Sequence, residues 1–204
     1  GNSSTNVLCL NGVAGNYGST PNAVANQAST QLDLMWGGNP PDWTPAAAGV
    51  LAAKDNGGSE RSYRWLLNAA GTMTLGLSND GSTFFAASSV AVSFSDFARG
   101  HVRVTWRNSD GRIQFFTSTD GSNWVQLGTD QAISTASVPT LFNANTPLLI
   151  GARAGGSTDM LAANIVYFSI GKTIGATDQV FNPTTAAKLA TSFVSSTGET
   201  WTIN

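Results

Sequence analysis

Hydrolysis of a glycosidic bond by the retaining route needs two carboxyl groups about 5–5.5 Å apart, one of them raised in pKa. Alternate residues of a β-strand share a face, so such a pair on a sheet would read as acids two or four positions apart. The chain has two glutamates, Glu60 and Glu199, each beside turn signals, and no strand-like run carries acids in phase. Glu60 lies next to Arg61 and Arg64 and reads as a surface ion-pair partner. A serine triad would have to use His101, the single histidine, which opens a strand-like run on its polar phase; no G-x-S-x-G elbow is present. One His and one Cys offer no zinc spacing, and no phosphate-cradling or dinucleotide fingerprint occurs. The expectation is a non-catalytic protein.

Binding chemistry has better candidates. Sugars stack on exposed aromatic rings flanked by Asn, Asp or Arg. Of six tryptophans, Trp36, Trp65, Trp106 and Trp201 fall in phase with apolar neighbours and read as core, and Trp124 follows a hairpin turn. Trp43 alone lies off any strand, beside Asp42 in the stretch Gly37–Pro45, which holds three prolines. Proline lowers the entropy cost of presenting a side chain. Trp43 either folds back as a lid on the core or offers its ring to a ligand. Arg153, in Gly151-Ala152-Arg153-Ala154-Gly155-Gly156, is a second candidate at a loop edge. Asp42, Trp43 and Arg153 are the predicted ligand-binding residues.

The elements that must hold these residues are strands. Leu32, Leu34 and Trp36 alternate with Gln31, Asp33 and Met35; Tyr63, Trp65 and Leu67 alternate with Ser62, Arg64 and Leu66; Val102, Val104 and Trp106 alternate with His101, Arg103, Thr105 and Arg107. Period-two alternation is the mark of half-buried antiparallel strands. Asp80-Gly81, Asp110-Gly111 and Asp120-Gly121 supply hairpin turns, and 101–107, 112–118 and 123–127 read as a meander. The first and third turns share the pattern S-x-D-G-S-x-aromatic, a turn pinned by Ser and Asp oxygens. Later strands are predicted at Pro147–Arg153, Ala162–Ile170 and Thr200–Ile203. At most one short helix is predicted, Pro183–Ala190, with Asn182 as its cap. Many short strands with Gly-rich turns predict an all-β sandwich or barrel, and 204 residues without a linker predict one domain over 1–204.

Only 11% of residues are charged, while 41% are hydrophobic, so a core can form under a polar, weakly charged surface. A formal net charge of −2 and no basic cluster argue against nucleic acid and membrane surfaces. No apolar run is long enough for a spanning helix. Cys9, in the run Val7-Leu8-Cys9-Leu10, is predicted to be a buried, inert thiol. The start Gly1-Asn2-Ser3-Ser4 is neither a signal peptide nor an initiator Met, which suggests a processed or excised chain; Asn2-Ser3-Ser4 matches a glycosylation acceptor.

Asn16-Tyr17-Gly18-Ser19-Thr20-Pro21, Asp42-Trp43-Thr44-Pro45, Arg61-Ser62-Tyr63-Arg64, Phe116–Gly121 with Trp124, Pro147-Leu148 with Ile150–Arg153, and the closing Thr200–Asn204 follow one another in an order with a wider counterpart. From about residue 7 to 204 the chain resembles the concanavalin A-like, laminin-G-like jelly rolls of bacteriophage virion proteins, particularly phages of actinobacteria. The resemblance implies two apposed antiparallel sheets. It also implies a module on the virion surface, extracellular, on tail or capsid, whose partners are other virion proteins and bacterial surface glycans. A structural cement role without a soluble ligand is the alternative, and a glycoside hydrolase on the same fold a more distant one. Relatives with a laminin-G-like fold often carry calcium on the sandwich rim; the candidate ligands are Asp159 and Asp178 with Asn164. No other cofactor is implied.

Overall fold

The computed structural model describes residues 6–204, so Asn2-Ser3-Ser4 lies outside the described residues. The strands in chain order are β1 (Leu8–Asn11), β2 (Gly18–Thr20), β3 (Gln31–Asn39), β4 (Gly49–Asp55), β5 (Arg61–Leu67), β6 (Thr72–Leu77), β7 (Phe85–Ala91) and β8 (Gly100–Arg107). They continue as β9 (Arg112–Ser118), β10 (Val125–Gln126), β11 (Gln131–Ala132), β12 (Leu148–Ile150), β13 (Ala162–Gly171), β14 (Gln179–Phe181), β15 (Ser192–Val194) and β16 (Thr200–Ile203). They form two antiparallel sheets. The first has the order β1-β13-β3-β8-β9-β10, with β11 on β9 and β14 on β13. The second has the order β15-β16-β2-β12-β4-β5-β6-β7. The protein is an all-β, two-sheet jelly-roll sandwich.

Alternation explains the layering. Leu32, Leu34, Trp36, Val102, Val104, Trp106, Ile165, Phe168 and Ile170 point from the first sheet toward Leu51, Tyr63, Trp65, Leu67, Leu75, Ile150 and Trp201 of the second, in one continuous buried cluster. Burying an aromatic or branched aliphatic side chain contributes about 1.5–3 kcal/mol. Cys9 departs from the expectation of burial: in β1 the inward phase belongs to Leu8 and Leu10, and the thiol is exposed. The predicted helix is also shorter. Asn182 does cap a turn, accepting from the Thr184 N–H at 3.1 Å, but the turn is a 3-10 turn over Pro183–Thr185. Ala186 already has extended backbone, because a two-turn helix with little to pack against does not sustain itself. The strand predicted over 147–153 narrows to Leu148–Ile150, since Gly151 turns the chain at φ +85°.

The two S-x-D-G-S-x-aromatic turns have matching geometry. Asp80 Oδ1 accepts the N–H groups of Ser82 (2.8 Å) and Thr83 (2.7 Å), and Asp120 Oδ1 those of Ser122 and Asn123 (both 2.8 Å). In both, the preceding Ser Oγ accepts the glycine N–H, at 3.1 Å for Gly81 and 2.9 Å for Gly121. The second turn, Asp110-Gly111, is packed against backbone. Gly111 has φ +70°, and a Cβ there would stand 2.0 Å from the Ile133 carbonyl oxygen. At Gly121 the nearest atom is 3.0 Å away, on the His101 ring. Gly111→Ala is therefore expected to cost about 2–4 kcal/mol, from left-handed strain plus displaced backbone. Gly121→Ala is expected to cost less, as measured by urea unfolding.

Lys54 is a basic side chain fully buried inside the rim. Its Nζ donates to Asn22 Oδ1 (2.6 Å), Asn26 Oδ1 (3.1 Å) and the Thr146 carbonyl (2.8 Å). No carboxylate contacts it among the described residues. Burial outweighs the field of Glu60 and pulls the amine down to about 8.

Candidate functional site

The predicted site residues do not gather. Asp42 and Trp43 precede β4, whereas Arg153 lies beside Asp55 at its far end, with Nη1 3.7 Å from Asp55 Oδ2. Seven strand residues separate them by roughly 20 Å. Trp43 is the lid and not the platform: it is 1% exposed, with its ring 4.7 Å from Phe94 and edge-on to Trp36 at 6.1 Å. Asp42 Oδ1 accepts the N–H (2.6 Å) and hydroxyl (2.9 Å) of Thr44, closing the turn after Trp43. Arg153 donates to Asp159 Oδ2 at 2.6 Å.

The calcium candidates do not form a site. Asp159 is committed to Arg153, and Asp178 Oδ2 accepts the Lys172 N–H at 2.7 Å at the far end of β13 from Asn164. Among the described residues no three His, Cys, Asp or Glu side chains converge. The glutamates are also placed apart. Glu60 Oε2 accepts the Asn145 N–H, and Arg61 faces Asp55 instead. Glu199 Oε1 accepts from Val180, Thr197 and Trp201. Glu60 follows β4 and Glu199 precedes β16, and three strand spacings, about 14 Å, separate those strands. That exceeds either glycosidase separation. His101 lies on the outer face against Gly37, where an added Cβ would be 2.4 Å from Nδ1; burial and then the charge of Arg99 hold the imidazole below its ordinary range.

Trp43 nevertheless organises a site. Its backbone N–H donates to Asp96 Oδ1 (3.2 Å) and its indole Nε1–H to the Ala98 carbonyl (3.1 Å). Both partners lie in the loop between β7 and β8. Gly100, at the start of β8, allows the close approach: a Cβ there would be 2.6 Å from Phe94 and 2.7 Å from the Trp43 ring. Between the two bonded residues stands Phe97, whose N–H donates to the Pro40 carbonyl at 3.1 Å. Phe97 has φ 60° and is 73% exposed. A bulky residue in the left-handed region costs on the order of 1–3 kcal/mol, and such strain concentrates at functional sites.

Phe97 borders a pocket of about 290 Å³ lined also by Leu10, Asn11, Asn39, Pro41, Ala162, Ala163 and Asn164. Asn39 and Asn164 are register partners on β3 and β13, and Asn11 faces Ala162 from β1. Asn11 Oδ1 accepts the Val13 N–H at 3.2 Å. Among the described residues the Asn11 amide NH₂ and the side chains of Asn39 and Asn164 have no hydrogen-bond partner. The pocket thus offers planar amide donors and acceptors beside an exposed ring, and no charge. Sequence reasoning missed Phe97 because Ser93–Arg99 follows no strand period; the signal available was Phe94-Ser95-Asp96-Phe97, two aromatics around a turn-forming Ser-Asp.

No known family model matches this sequence, and no curated protein matches it either. Solved structures share the fold. One is the CBM40 of the Ruminococcus gnavus IT-sialidase bound to alpha2,3 sialyllactose, with 11% identity, TM-score 0.50, and coverage of 79% of this chain and 89% of that one. A second structure of that CBM40 matches with 12% identity, TM-score 0.50, and coverage of 84% and 91%. A NanB sialidase variant from Streptococcus pneumoniae gives 8% identity and TM-score 0.52 over 82% of this chain but 25% of its own. At these identities the likeness concerns the fold.

Proposed function

We propose that the protein is a non-catalytic module that recognises neutral carbohydrate through the pocket beside Phe97. The observation that carries this reading is the exposed Phe97 ring, held by a buried tryptophan next to the amides of Asn11, Asn39 and Asn164. Ring stacking on an aromatic face and hydrogen bonds from planar amides are what a sugar with vicinal hydroxyls requires, and the uncharged lining selects neutral rings. The CBM40 that shares the fold was solved with a bound glycan, which shows that such a sandwich can carry one. Trp43 enters as a positioning residue that tethers the loop, and Asp42 as the residue that closes the turn after it. The sequence resemblance to phage jelly rolls supports a virion surface as its place, with bacterial surface glycans and neighbouring virion proteins as partners.

The test is a panel of bacterial-surface oligosaccharides read by array and then by calorimetry. Binding of at least one neutral glycan is expected. Phe97→Ala should weaken it at least tenfold and Asn39→Ala by a comparable factor, with no reducing ends released. Absence of binding across the panel, or unchanged affinity in Phe97→Ala, would overturn the reading.

A further inference from the structure

Three of the chain's ten Lys and Arg residues, Arg61, Arg64 and Arg153, gather on the outer face of the second sheet. Two carboxylates accompany them. Asp55, with a fully buried side chain, has Arg61 Nε 3.7 Å from one oxygen and Arg153 Nη1 3.7 Å from the other. Asp159 is bonded to Arg153 at 2.6 Å. Asp159 is thus hydrogen-bonded by Arg153, while Asp55 is flanked by Arg61 and Arg153 at ion-pair distance, its Oδ1 accepting the Gly57 N–H and its Oδ2 without a hydrogen-bond partner among the described residues. Arg64 has no hydrogen bond or ion pair among the described residues.

Its surroundings keep it in place without neutralising it. The guanidinium carbon lies 4.4 Å from the centroid of the Phe84 ring. Across the sheet its register partners are Ala53 and Gly76, both small. A Cβ on Gly76 would meet Arg64 Cγ at 3.4 Å and Nε at 3.5 Å, so the glycine leaves room for the arginine stem. The guanidinium is half-buried, stacked on one face and free along its donor edge. A fixed, planar, unpaired fork of this kind matches an oxyanion.

We infer that Arg64, supported by Arg61 and Arg153, forms a binding site for a single oxyanion: a carboxylate, sulfate or phosphate group. Burial, and next the charge of Arg153, hold the Arg64 guanidinium below the ordinary arginine range. An anion at the donor edge relieves both. The site is on the sheet that does not contain the Phe97 pocket, and it adds an acidic group to what the protein recognises without depending on that pocket.

The test uses the whole chain at constant ionic strength. Arginine Nε–Hε resonances are followed by NMR while inorganic phosphate, glucuronate or glucose is added. The Arg64 resonance is expected to shift saturably with phosphate and glucuronate and not with glucose. In Arg64→Gln, followed at the Arg61 and Arg153 resonances that flank the site, the response to phosphate and glucuronate should weaken at least tenfold. Arg64→Met, which retains the stem over Phe84, should do the same with the fold intact by circular dichroism. Tighter binding of glucuronate identifies an acidic sugar as the source, and tighter binding of phosphate a free anion. No saturable shift at Arg64 in the parent, or an unweakened response of the Arg61 and Arg153 resonances in both variants, overturns the inference. Glycan binding at Phe97 would be unaffected by these variants, so the two readings fail separately.

Discussion

Replacing Trp43 with alanine is expected to lower stability by about 3–5 kcal/mol and to weaken glycan binding with it. The indole is 1% exposed, packed on Phe94 and edge-on to Trp36. Truncation leaves a cavity and removes the donor that meets the Ala98 carbonyl. The loop carrying Phe97 would then lose one of its tethers to the sandwich. Trp43→Phe separates the effects: it keeps much of the packing and loses the Nε1–H, at about 1–2 kcal/mol. Phe97→Ala, at an exposed ring, should stay within about 0.5 kcal/mol of the parent while losing affinity. Urea unfolding and calorimetry on the three variants check this. Full affinity in a folded Trp43→Ala protein would remove Trp43 from the site.

Alkaline pH is expected to stabilise the protein before it destabilises it. Lys54 has its amine lowered to about 8 in the folded chain, against 10.5 when unfolded. Between those values the unfolded chain binds more protons than the folded one, so stability rises with pH. Between pH 8 and pH 10 the gain is about 2 kcal/mol. Tyr63 acts in the opposite sense further up. Burial pushes its phenol far above the ordinary value of 10.0, so the stability it contributes is present below that value and lost as pH rises beyond it. The expected curve climbs from pH 8, turns near pH 10 and then falls. Lys54→Met should abolish the climb and keep the fall. The same climb in that variant would assign the proton to another group.

Hairpins were legible in the sequence because their determinants are local. The alternation of 101–107 needs only seven residues, and Asp120 makes its bonds within three positions. Residues whose environment is built from afar were not legible. Cys9 sits in an apolar run short enough to fit either phase, and its pairing with Asn164 on β13 leaves the thiol outside. Lys54 lies in an apolar strand, and its oxygen partners come from positions 22, 26 and 146. Trp43 was recognised as special by its prolines, but whether it faced in or out depended on Phe94 and Gly100. Arg64 read as an outward residue in an alternating strand, which it is. Its lack of an ion-pair partner depends on Arg61 and Arg153, which come from elsewhere in the fold and stand nearest the two acids.

The sheet order has a kinetic consequence. β1 pairs only with β13, and β2 lies between β12 and β16. The earliest strands therefore have no partner until the last third of the chain has been made, and β3 has one free edge until then. Closing loops of more than a hundred residues before contacts repay them makes folding slow. During synthesis the β4–β7 run can zip hairpin by hairpin, while β1 and β2 remain single strands awaiting their edges. Such unpaired segments are open to association with other chains. Refolding yield is therefore expected to fall with protein concentration, and the sandwich to close late, when β13 enters between β1 and β3.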